Sequence, residues 1–148
     1  MKYYRSHFAL EETMELELSE LEFRRLLDMA YIGNWILNST RGSDRIIDYD
    51  YVESKLFSIC PEHGMASLVE YWNDVARPSA AFENGGIHEA IAEYEDAVFF
   101  EILAEEMARR DMDFEPIGPE NYSELTSRID EYIEEFEQNG IENISLNK

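Results

Sequence analysis

Residues 87 to 111 run for 25 positions without a proline or a glycine, and this stretch limits the fold more than any other. Its apolar residues recur at helical spacing, so it predicts one long helix over about 87–111. At about 100° per residue, Ile87, Ile91, Tyr94 and Val98 fall on one line of the wheel, and Glu101 and Glu105 continue it. Phe99, Phe100, Ile102 and Leu103 point in other directions, and Met107 joins Phe100 and Leu103. The apolar face is therefore expected to roll over near Val98, so that the two halves of the helix bury different sides.

That roll assigns the many acids of the stretch to the wet side. Glu105 with Arg109 and Glu106 with Arg110 are i,i+4 pairs with the acid first. Such pairs stabilise an exposed helix by about 0.2–0.5 kcal/mol. Glu89, Glu93 and Asp96 occupy the polar back of the first half, near the helix start, whose positive end they suit. The second stripe, Phe99, Phe100, Leu103 and Met107, is the candidate interface. Either the first and last helices or the N-terminal segment cover it, or it is a homodimer seam or a partner groove.

The remainder of the chain also reads as mainly helical. "SELE" sets Ser19 at an N-cap with Glu22 three residues on, a capping box that opens a helix to about Asn38. Phe23, Leu26, Leu27, Ala30, Asn34 and Leu37 share one face of it. Past residue 29 apolar side chains spread all round, the mark of a central helix. Asp50 and Glu53 form a box-like cap before a second helix to about Cys60. Residues 65–76, "MASLVEYWNDVA", place Met65, Leu68, Trp72 and Val75 on one side of a third. A last helix starts near Asn121 and stops at Gly140. Residues 12–18 and 141–146 alternate polar and apolar, and can pair as a small two-stranded ribbon. The expected fold is all-α or mainly α: an irregular bundle of about five helices in a single helical domain over 1–148, with that ribbon as an addition.

The sequence carries 12 basic and 33 acidic residues, a net charge of −21. Residues 82–148 alone hold 4 basic and 19 acidic residues. A field of this sign repels phosphate backbones and anionic membrane surfaces, so neither direct nucleic-acid binding nor membrane attachment is expected. No stretch approaches the ~20 apolar residues of a bilayer span, and the N-terminal residues lack an apolar leader region. Cys60 is the one cysteine and suits a reducing compartment. These features point to a cytoplasmic protein.

Motifs for chemistry are weak. "HEAIA" at His88 begins like a zinc-protease helix but lacks the second histidine. None of His7, His63 and His88 follows a glutamate by three, as a di-metal bundle site requires. There is no Ca²⁺ loop, P-loop, dinucleotide fingerprint or nucleophile elbow. No cofactor and no metal are expected. Asn34 on the buried face of the first helix, His88 beside its neighbouring acids, and Glu101 form the candidate polar site. A buried amide such as Asn34 must be hydrogen-bonded, because leaving it unpaired costs about 1–3 kcal/mol.

Three functions fit. The first is a non-catalytic interaction module that binds a basic protein partner, or occupies a nucleic-acid-binding protein with carboxylates in place of phosphates. The second is a small metal-dependent enzyme or binder using His88 and nearby acids. The third is a homo-oligomer, such as a homodimer, whose acidic surface serves only solubility.

Overall fold

The computed structural model describes residues 13–145, which form two compact units, one ending at His88 and one beginning at Glu89. The fold is mainly α with one small two-stranded antiparallel sheet. Among the described residues the long helices are α1 (Glu20–Asn38), α2 (Ile47–Phe57), α4 (His88–Asp111) and α5 (Tyr122–Asn139), with a single turn, α3 (Ala80–Phe82), before α4.

In the first unit, α1 starts as its sequence dictates. The Ser19 backbone N–H donates to Glu22 at 2.8 Å, and the Glu22 N–H donates to Ser19 Oγ at 3.3 Å. Phe23, Leu27, Tyr31, Asn34 and Asn38 make its buried stripe. The helix is not central as expected, because Met29 and Ile36 stand on an exposed flank.

The turn into α2 is held by two asparagines. Asn38 Nδ2 donates to Asn34 Oδ1 (2.7 Å) and to the Ile46 carbonyl (3.0 Å), and Asn38 Oδ1 accepts from the Ile46 N–H (2.8 Å). Ile46 is the N-cap of α2 and offers no side-chain cap of its own. One buried amide therefore satisfies backbone groups that would otherwise be stranded at a helix start. Asp50 and Glu53 lie inside α2 and do not cap it, contrary to the expectation.

The ribbon is real but lies elsewhere than expected. Residues 13–18 are exposed and carry no strand, nor do residues 141–145; residues 12 and 146 lie outside the described residues. The strands are β1 (Val69–Trp72) and β2 (Val75–Pro78), in register Val69↔Pro78 through Trp72↔Val75. They replace the helix expected over 65–76. Asn73 and Asp74 have φ of 48° and 63°. Two left-handed residues in a two-residue loop give the turn whose twist matches paired strands. Glu70 and Arg77 pair across the ribbon at 2.7 Å, and the Arg77 guanidinium lies 5.2 Å from the Trp72 ring centre.

The core of this unit is Leu27, Phe57, Cys60 and Phe82, all fully buried. Phe82 meets Phe57 edge-on at 4.9 Å and Tyr31 at 5.2 Å. Burial pushes the Cys60 thiol up from its ordinary value, so it packs as a small hydrophobe.

In the second unit, α4 and α5 are joined by residues 112–121. The core is Ala108, Met112 and Leu125, with Ile117, Ile129 and Tyr132 packed against it. The Phe100 and Phe136 rings meet at a tilt, 5.6 Å apart, and Tyr132 and Phe136 stack at 5.9 Å. The fully buried residues in the second half of α4 are Ala104 and Ala108. The face does change along α4, but the small alanines mark it more clearly than the large residues do. No helix among the described residues is long and apolar enough to cross a membrane.

Candidate functional site

A cleft of about 480 Å³ opens in the first unit. Tyr31, Asn34, Trp35 and Ser39 of α1 and its C-terminal turn form one wall, and Arg45 and Glu53 form a second. Glu70, Arg77, Pro78 and Glu83 close it from the ribbon and the turn that follows. Each comes from local structure already described. The 31–34–35 spacing puts two aromatic rings and an amide on adjoining positions of one helix. The ribbon carries Glu70 and Arg77 at paired positions. Glu83 stands at the start of a kink, where Gly85 and Gly86 leave helical geometry, Gly86 at φ 102°, before α4 begins.

Tyr31 Oη lies 2.7 Å from His88 Nε2 and 3.4 Å from Glu83 Oε1. Tyr31 thus places its hydroxyl between the Glu83 carboxylate and the His88 ring nitrogen. His88 also meets Trp35 edge-on at 4.9 Å. On the other wall, Arg45 grips Asp50 with two hydrogen bonds, both 2.7 Å, and Asn34 Nδ2 donates to Asp50 at 3.0 Å.

The electrostatics divide the acids. Burial works to raise the Asp50 carboxyl, but the hydrogen bonds from Arg45 and Asn34 and the Arg45 charge hold it below the usual carboxylate range. Burial pushes Glu53 up to about 7, opposed by the Asn34 amide and reinforced by the Asp50 charge. Arg45 opposes that rise and Glu83 adds to it. Tyr31 is pushed up to about 12, by burial first and then by the Glu83 and Glu53 charges. Glu53 thus titrates near neutrality, where a carboxyl can both accept and donate a proton.

No protein-family model, curated protein or solved structure matches the chain.

The structure distributes the residues singled out in the sequence. Asn34 lines the cleft and spends its amide within the fold, on Asp50 and Asn38. His88 backs the cleft through Tyr31 and Trp35. Glu101 is exposed on α4 in the second unit. Of the expected interface stripe, Phe100, Leu103 and Met107 are half-buried and Phe99 is exposed. His63 stands 6.3 Å from the Phe23 ring, and His7 lies outside the described residues. Among the described residues no three His, Cys, Asp or Glu side chains converge as a metal site would need. Glu53, Glu83, Trp35 and Arg77 were not legible as a set, because they become neighbours only once the ribbon and α2 fold onto α1.

Proposed function

We propose that the chain is a non-catalytic interaction module that docks a basic protein surface through its second unit. One observation carries this reading. Residues 89–145 hold eighteen carboxylates against three arginines, and every one of those carboxylates except Glu135 is exposed. All three arginines are already paired inside the unit: Arg109 with Glu105 at 2.9 Å, Arg110 with Asp111 at 2.8 Å and Arg128 with Glu124 at 2.8 Å. The remaining negative charge has no local counterpart there and projects into solvent, mostly from α4 and α5. A surface of that kind steers and orients a positively charged partner. It also resembles a phosphate array in charge, so a nucleic-acid-binding protein is the fitting class of partner. A buried lone thiol suits a cytoplasmic setting for this role.

The test is capture on immobilised full-length chain, followed by challenge with duplex DNA. Retained proteins should be basic in sequence, and added DNA should release them. Retention of proteins without regard to their charge, or indifference to DNA, would contradict the proposal.

A further inference from the structure

We infer that the cleft of the first unit binds an organic cation with N–H donors, a primary ammonium, between Glu53 and Glu83 and against the Trp35 and Tyr31 rings. This stands apart from docking by the second unit and does not depend on it.

The charge inventory of the cleft comes first. Its lining holds two arginines and three glutamates. Arg45 is engaged by Asp50 through two hydrogen bonds, and Arg77 is bridged to Glu70 at 2.7 Å while lying over Trp72. These are two neutral pairs. Glu53 and Glu83 remain as net negative charge on the lining, so an anionic ligand is disfavoured.

The walls add a second feature. Trp35 and Tyr31 lie nearly parallel at 6.2 Å, interplanar angle 27°, and both line the cleft. Aromatic faces attract cations most strongly where water is reduced. Carboxylates and rings together select a cation, and carboxylate acceptors select one that can donate hydrogen bonds. The half-buried Glu53 carboxylate, facing Asn34, Asp50, Arg45, Tyr31 and Glu83, is destabilised as an anion by burial and by acidic neighbours. An ammonium seated beside it relieves that penalty.

An ammonium in this cleft can come from a free alkyl amine or from a lysine side chain on a protein. The same experiment separates them. Full-length protein is titrated at pH 8 with 1,5-diaminopentane, with N-acetyl-lysine amide and with tetramethylammonium, following the Trp35 indole N–H by NMR. Saturable shifts are expected with a primary ammonium at up to about 10 mM. Shifts from the diamine alone assign a free amine, and shifts from the lysine amide alone, or from both, assign a side chain as an accepted source. Tetramethylammonium should bind at least about tenfold more weakly, ~1.4 kcal/mol. Glu53→Gln and Glu83→Gln should each weaken the primary ammonium by about tenfold, whereas Glu62→Gln, exposed and outside the cleft lining, should not. Absence of any saturable Trp35 shift overturns the inference. So does equal binding of tetramethylammonium, or equal affinity in both cleft variants, provided their far-ultraviolet spectra match the parent.

Discussion

Tyr31 and His88 are 57 positions apart in sequence and meet with Oη 2.7 Å from Nε2, which ties the middle of α1 to the first residue of α4. The contact fixes one wall of the cleft, because Tyr31 also reaches Glu83 and packs on Phe82. Tyr31→Phe keeps the ring and removes the hydroxyl, leaving the His88 nitrogen without this partner. Its urea midpoint should fall by the equivalent of about 1 kcal/mol. An unchanged midpoint would mean the hydrogen bond adds nothing to stability.

Asn38 should be among the least replaceable polar residues. It is 1% exposed and serves Ile46 N–H, the Ile46 carbonyl and Asn34 at once. Asn38→Ala strands these groups in the interior and opens a small void. A loss of about 3 kcal/mol is expected in chemical unfolding. A loss below about 0.5 kcal/mol, the level of ordinary surface changes, would show that the α1–α2 turn is held by other means.

Glu53 makes stability pH-dependent in a defined direction. Its carboxyl is raised from 4.5 to about 7 in the folded chain, so the folded state holds a proton that the unfolded state releases. Its contribution is greatest below the unfolded value and declines as pH rises through the folded one. Glu53→Gln should therefore change the melting temperature little at pH 5 and raise it at pH 8, as thermal unfolding at the two values will show. A rise confined to pH 5 would contradict the assignment.

The ribbon turn offers a gain. Asp74 sits at φ 63°, where a side chain is crowded and glycine is not. Asp74→Gly creates the Asn-Gly pair that two-residue hairpins favour. Stability should rise by a few tenths to about 1 kcal/mol, measured as an upward shift in melting temperature. A fall would show that the aspartate makes a contact worth more than the backbone relief.

The same turn shows where the sequence was legible and where it was not. Ser19 and Glu22 announce α1 because a capping box is a local device, visible in four residues. The uninterrupted run into α4 and the glycine after α5 are equally local. In 65–76, by contrast, Met65, Leu68, Trp72 and Val75 share helical spacing, while Val69, Tyr71, Trp72 and Val75 around Asn73–Asp74 equally fit a hairpin. Periodicity favours the first, and pairing across the turn decides for the second. Ala104 and Ala108 are fully buried, yet their small side chains give a weak apolar signal in the sequence. The cleft was illegible for a different reason. Tyr31, Glu53, Arg77 and Glu83 are spread over 53 positions, and no local spacing encodes their meeting.

The central claim is that excess carboxylates on α4 and α5 hold a basic partner. It is tested most directly by the salt dependence of affinity for one purified captured protein, beside a variant carrying Glu93→Gln, Glu101→Gln, Glu131→Gln and Glu134→Gln. The parent should weaken steeply as salt rises from about 50 to 500 mM, where the screening length falls to a few ångströms. The fourfold variant should bind more weakly at low salt and show a shallower dependence. Affinity that holds steady across that range, or a variant indistinguishable from the parent, would contradict the account.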